Sequence, residues 1–368
     1  MAFLKNSELL NFSIENDEGV YNSDVETEQP NVRFREVDLS VEVESEDDSR
    51  YLTGDWGQTD ENLTGARMGT VNYSLKVAPG EFTEETDPGV SEDAEHSLNY
   101  KELFPSMGLK LVEKNTSNVD NEEGSYVIFP SKENASRTIS IARFLTESSA
   151  TGLTGRIEAL KGGMGSFSLS VDGRGAPFMI SSEIQGAVEK IEDVDENNIP
   201  VFDDSTANRT LGDKFLNTTI TIEDLTTGGD PIDFCVSSLT LDANTDVTEI
   251  ACQRGAGINN YIITSIAPTL DIDPLLQTID DFDYWDGMNE EHTYRVTVES
   301  EHIKILIPRA QLNSSDISET DGYMRNALNF RAMRNIDGDI PDVLDAGDID
   351  NPQEALFFIQ IGETERDF

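Results

Sequence analysis

Residues 151–189 read TGLTGRIEALKGGMGSFSLSVDGRGAPFMISSEIQGAVE, and the period of this stretch decides the fold class. Three short runs, residues 155–160, 166–171 and 177–184, alternate apolar and polar side chains, and each is read as ending in a glycine-bearing turn. Alternation with a period of two sends successive side chains to opposite faces, one buried and one wet, so the stretch predicts an antiparallel meander of three strands. Gly162, Gly163, Gly165, Gly173 and Gly175 are placed to supply the positive φ angles that tight reversals need. No catalytic constellation lies here, and the segment reads as scaffold.

Upstream, residues 32–43 (VRFREVDLSVEV) and 68–77 (MGTVNYSLKV) alternate as strands, and residues 108–113, 124–129 and 138–144 are short enough to be strands. Residues 98–107 (LNYKELFPSM) predict a first helix, ended by Pro105 and Gly108. Downstream, 215–225, 257–266 and four runs from residue 292 onward again alternate. Residues 273–285 (DPLLQTIDDFDYW) predict a second helix, with Asp273 as N-cap, Pro274 in the first turn and Leu275, Leu276, Ile279 and Phe282 at spacings of three and four. The expectation is an all-β chain with minor α, in an order that recurs: hairpin and strand, helix, closing meander. Gly175 precedes PFMISSEI as Gly322 precedes YMRNALNF. The division is an N-terminal arm or edge segment over 1–31, a β domain over 32–193, a connection over 194–207 and a second β domain over 208–368.

A length of 368 residues suits two domains, and 37% hydrophobic with 8% aromatic residues is enough for cores. The charge is the strongest compositional signal: 72 Asp and Glu against 26 Lys and Arg give a formal net charge of −46. Such a surface argues against gripping nucleic acid, whose affinity comes chiefly from cations that neutralise phosphates, but not against letting it pass. Solubility and adaptation to high salt explain the same charge. Residues 1–19 hold one Lys and no apolar core of signal-peptide length, so export is not expected, and no window approaches the ~20 apolar residues of a membrane span. Cys235 and Cys252 lie in two β-like runs that could form one hairpin, and two reduced thiols fit a cytoplasmic product.

Motifs for chemistry are sparse. His96, His292 and His302 have no metal-ligand spacing, and neither GxSxG nor GxxxxGK[ST] occurs. Asp193, Asp195 and Asn197 have the alternate spacing of a calcium loop, but Asn198 stands where the turn wants Gly and Asp204 where a bidentate Glu is expected. They are weak metal candidates beside the bland reading of a solvated acidic loop. The acidic runs 81–95 and 337–350 read as exposed loops. A carboxylate pair for glycoside hydrolysis is not singled out among 72 acids, no cofactor is called for, and the chain is not expected to be an enzyme.

NVRFREVDLSVEVE, RMGTVNYSLKVAPG, NYKELFPSMGL and residues 150–186, followed by SSLTLDANTDVTEI, INNYIITSIAPTLDIDP and ILIPRAQLNSSDISETDGYMRNALNFRA, are the stretches on which a resemblance rests. By pattern and order over most of residues 31–361, the chain resembles the major tail tube proteins of long-tailed, siphovirus-like bacteriophages and archaeal viruses. The resemblance implies two tandem β-barrel or sandwich domains, each with a flanking helix. It implies stacked rings around a channel, trimeric with pseudo-sixfold symmetry when two such domains are fused. It implies as partners other copies of the chain, the tape-measure protein, tail terminator and distal tail proteins, and DNA in transit, without a membrane. The place would be the virion tail, assembled in the host cytoplasm. An acidic lumen suits sliding DNA, and Glu158, Lys161, Ser168, Ser170 and Glu183 are the candidates for a polar, lumen-facing set. A distal-tail or attachment protein binding a host glycan is the alternative.

Overall fold

The alternating runs do form strands. The computed structural model describes residues 8–46, 63–77, 98–115, 124–135, 137–149, 152–173, 175–195, 199–202, 215, 218–251, 258–278, 282–300, 302–320, 322–335 and 355–362. The acidic runs 81–95 and 337–350, together with Cys252, lie outside the described residues. The first half contributes β1 (Glu8–Ile14), β2 (Phe34–Glu46), β3 (Leu63–Lys76), β4 (Leu109–Asn115), β5 (Gly124–Pro130), β6 (Ile139–Ser149), β7 (Gly152–Gly165), β8 (Ser168–Asp172) and β9 (Met179–Asp195). Its helices are α1 (Asp24–Thr27) and α2 (Leu103–Ser106). The second half contributes β10 (Thr219–Asp224), β11 (Ile232–Phe234), β12 (Val236–Asp242), β13 (Thr245–Ala251), β14 (Ile258–Ile266) and β15 (Thr269–Pro274). After α3 (Tyr284–Asn289) come β16 (Thr293–Glu299), β17 (Ile303–Thr320), β18 (Tyr323–Ala332) and β19 (Phe358–Gly362). Among the described residues the chain is nearly all β, with three short α-helices.

The stretch at 151–189 is a hairpin rather than a three-strand meander. Thr154 faces Asp195, Gly165 faces Ile184 and Ser170 faces Met179, so β7 and β8 run one after the other along a single edge of β9. Among the described residues of this stretch the chain reverses at Gly173 and Gly175, with φ of 95° and 79°. The upstream glycines serve a bulge, since β7 gains one residue against β9 between Lys161 and Met164. A Cβ on Gly165 would collide with the Glu183 carbonyl, so this position needs glycine for close backbone approach and not for a turn.

Pairings in the two halves run in the same order. One set is β1–β6–β7–β9–β3–β2, and the other is β10–β16–β17–β18–β15–β12. Their irregularities coincide as well. In the β2–β3 hairpin the register shifts between Phe34↔Leu75 and Leu39↔Val71, and again between Val43↔Arg67 and Ser45↔Thr64. In the second hairpin, whose two arms are β12 with β13 and β14 with β15, it shifts between Val236↔Pro274 and Leu241↔Leu270, and between Thr245↔Ile266 and Val247↔Ile263. A third bulge separates Ile141↔Leu160 from Ile139↔Gly163 and, likewise, Val296↔Ile307 from Tyr294↔Ala310. Backbone bonds outside the ladders agree: Val77 donates to Phe178 at 2.9 Å and Leu276 to Met324 at 3.0 Å, as Glu15 donates to Thr138 and Leu225 to Thr293.

The halves join edge to edge. β8 pairs with β12 from Ser168↔Asp242 to Asp172↔Ser238, and β5 pairs with β19, which lies against β17. One apolar core runs through both, including Tyr73, Phe104, Phe167 and Leu169 with Leu241, Leu270, Val296 and Phe330. Phe167 stacks on Phe357 with centroids 6.4 Å apart.

Several expectations need correction. The helix at 273–285 begins only at Tyr284, capped by Asp283, whose carboxylate accepts from the Trp285 and Asp286 amides. Asp273 closes β15 instead, accepting from the Ser237 and Ser238 amides at 2.9 and 2.7 Å. The helix at 98–107 shrinks to Leu103–Ser106. The two cysteine-bearing runs do not pair with each other, because β12 lies on β15 and β13 on β14. Within the first 31 residues, β1 pairs with β6 and sends Leu10 and Phe12 into the core.

Candidate functional site

Facing residues in a ladder point to the same side, so register alone defines a surface. Across β2, β3, β9, β8, β12, β15 and β18 it runs through Asp38↔Asn72↔Glu183, Ser181↔Ser168↔Asp242 and Ser170↔Thr240↔Asp271↔Asn329. The opposite side of the same strands carries Leu39, Val71, Ile184, Leu169, Leu241, Leu270 and Phe330 against the core. The result is one continuous polar face spanning both halves. It is built from hydroxyls, amides and the carboxylates Asp38, Glu183, Asp242 and Asp271. Asn329 Nδ2 donates to Asp271 Oδ1 at 2.7 Å, and Asn329 Oδ1 accepts from Asn313 at 3.1 Å, which fixes side chains along the surface.

Ser168, Ser170 and Glu183 lie on this face. Glu158 does not. It is buried on the core side of β7, where it pairs with Arg143 at 3.5 Å and Arg156 at 3.2 Å, and Arg143 also reaches Glu8 at 3.1 Å. The bulge between Lys161 and Met164 explains the difference, because an extra residue turns every later side chain to the other face. Lys161 pairs with Glu189 at 2.6 Å. Asp193 and Asp195 stand exposed in β9, facing Arg156 and Thr154, and Asn197 lies outside the described residues. Among the described residues, no group of three or more His, Cys, Asp or Glu side chains could hold a metal ion.

The surface is bounded at its flanks. The outer hairpin β13–β14 leaves the sheet and packs Tyr261 and Ile263 on Met164 and Ala187. At the other flank Val25 of α1 covers Phe144, Ile157 and Ala159. That N-terminal segment is fastened by Glu15, a buried carboxylate that accepts from Thr138, Ser140 and the amides of Gly19 and Gly162 at 2.6 to 2.8 Å.

Two further clusters concern stability. His292 Nδ1 lies 2.8 Å from Asp224 Oδ2, and Nε2 lies 3.4 Å from Glu290 Oε2. Burial disfavours the imidazolium, but the two carboxylates outweigh it and raise the His292 pKa. Asp224 is opposed by burial too, and hydrogen bonds from residues 226, 227 and 292 bring its pKa below the usual carboxylate value. Burial raises the Tyr73 and Tyr294 pKa values, so both phenols stay neutral within the core.

Among the described residues, β2 has β3 as its only ladder partner, and β17 beyond Leu312 has only β18. No described helix is long and apolar enough to cross a membrane. Compared with protein-family models and with curated proteins, the sequence matches none.

Proposed function

We propose that the chain is a structural building block of a viral tail tube, made of two tandem tail-tube-like β domains that arose by duplication. Copies join into rings of three with pseudo-sixfold symmetry, and the rings stack around an acidic bore through which DNA passes without specific binding. The observation that carries this reading is the equivalence of the halves: the same pairing order, the same three bulges and an edge-to-edge junction. A sheet that has already joined one repeat to the next in a single chain can be extended by joining chain to chain.

The polar face suits the wall of the bore. It carries carboxylates at Asp38, Glu183, Asp242 and Asp271, and a phosphate backbone gains affinity from cations and not from these. Its work is geometric and electrostatic, without catalysis. The partners are other copies, the tape-measure protein and the proteins at each end of the tail, in a virion tail assembled in the host cytoplasm.

The test is electron microscopy of the purified protein from low to high ionic strength. Rings or tubes are expected as salt screens the net charge of −46. Monomers at every salt concentration would overturn the proposal.

A further inference from the structure

The in-chain junction is also a template. In β8–β12, Leu169 faces Leu241, Ser170 faces Thr240 and Val171 faces Leu239. The shared bulges and ladders map β8 onto the end of β17: Leu169↔Ile180 corresponds to Ile317↔Asn326, and Ser168↔Ser181 to Asp316↔Ala327. They map β12 onto β2, so that Leu241↔Leu270 corresponds to Leu39↔Val71.

Burial breaks this equivalence at one place. Leu169, Phe178 and Val77 are 1%, 0% and 1% exposed, whereas their counterparts Ile317, Met324 and Leu276 are 42%, 49% and 36% exposed. In the first half β12 lies against β8, and Phe215 packs edge-on over Phe178 at 5.9 Å, which covers this apolar edge. In the second half, among the described residues, no strand lies on the same edge. An edge that exposes Ile317 beside Met324 and Leu276, with backbone donors and acceptors that no described strand takes up, is a template for pairing.

We infer that residues 316–319 of β17 in one copy pair antiparallel with residues 37–40 of β2 in a second copy, in the register of β8–β12. The facing pairs are Ile317 with Leu39, Ser318 with Asp38, Glu319 with Val37 and Asp316 with Ser40. Ile317 and Leu39 lie on the core side and extend the row that Leu169 and Leu241 begin. The contact is head to tail, since each copy offers a different edge on each side, and it therefore closes into rings or runs on as a filament. Asp38 and Asp316 stand diagonally across the seam on the polar face, and their repulsion makes the seam salt-dependent. The inference rests on the chain being a self-assembling building block and adds which edges meet and in what register.

Paired cysteine substitutions test it in the full chain with Cys235 and Cys252 both changed to Ser. Combining Leu39→Cys with Ile317→Cys in one chain is expected to give, on oxidation of assembled protein, a ladder of disulfide-linked multimers, since facing residues meet the geometry of the bond. Ser40→Cys with Ile317→Cys puts the thiols on opposite faces and is expected to give no ladder. Ile317→Asp is expected to raise the concentration at which assembly begins by about tenfold, equivalent to ~1.4 kcal/mol, without changing the melting of dilute protein. Particles that form normally but link in the Ser40→Cys pair, or fail to link in the Leu39→Cys pair, would overturn the register and leave the building-block reading standing. No particles and no links at any salt concentration would overturn both.

Discussion

Leu169 and Ile317 hold the same place in two hairpins of the same chain, with the same neighbouring ladder, yet one is sealed and the other faces solvent. The local sequences share this apolar position but not its neighbours, since Phe167 and Val171 flank Leu169 where Ser315 and Glu319 flank Ile317. The difference in burial comes from what lies across the edge. β12 covers β8 within the chain, and no described strand covers the end of β17. An exposed apolar residue is ordinary by itself, but one whose internal counterpart is buried marks a missing neighbour.

The comparison breaks most visibly under charge. Leu169→Asp places a carboxylate in the shared core and is expected to cost about 3–5 kcal/mol in urea denaturation of dilute protein. Ile317→Asp should stay within about 0.5 kcal/mol in the same measurement. Equal losses at the two sites would show that the end of β17 is already covered in the monomer.

A smaller effect tests where the halves differ. Glu15 and Leu225 begin the same backbone bond, but only Glu15 sends a carboxylate to the bulge at Gly162. Glu15→Ala removes the acceptor of four hydrogen bonds, of whose donors Gly19 N–H keeps Thr138 Oγ1, and should cost about 2–3 kcal/mol by denaturant melts. Glu15→Gln should restore part of it.

The second half has its own clasp in His292 with Asp224. Because the folded His292 pKa is raised, its contribution is complete below the ordinary histidine value and disappears as pH rises through the folded value. Asp224 has a lowered folded pKa, so its contribution holds above the ordinary carboxylate value and is lost as pH falls through the folded one. His292→Gln should thus cost on the order of 1 kcal/mol between those limits, and the deficit should shrink at alkaline pH in thermal melts. A deficit unchanged with pH would assign His292 to packing. Least of all, Glu183→Gln on the open polar face should leave stability within about 0.5 kcal/mol.

Much of the fold was legible because alternation survives in nearly every strand and because Gly175 and Gly322 mark the same hairpin tip. What escaped was the meaning of Gly162, Gly163 and Gly165, since a glycine that makes a bulge and one that makes a turn look alike in sequence. That ambiguity moved Glu158 to the wrong face: the count of two from Ser168 fails once a residue is inserted. The helix expected at Asp273 failed for another reason. Leu275 and Leu276 fit helical spacing, but Leu275 still bridges to Arg325 and Leu276 still bonds to Met324, so tertiary pairing overrides local preference. The polar face was only partly readable, because its assembly from both halves depends on the β8–β12 pairing, which no local pattern encodes.

That pairing has a mechanical consequence. Because β8 and β12 belong to one polypeptide, their contact does not depend on protein concentration, whereas the seam at Ile317 and Leu39 does. In a closed ring of such chains, permanent and reversible seams would alternate. Dilution or strain would then part the ring only at every second boundary and release intact two-repeat units able to rejoin.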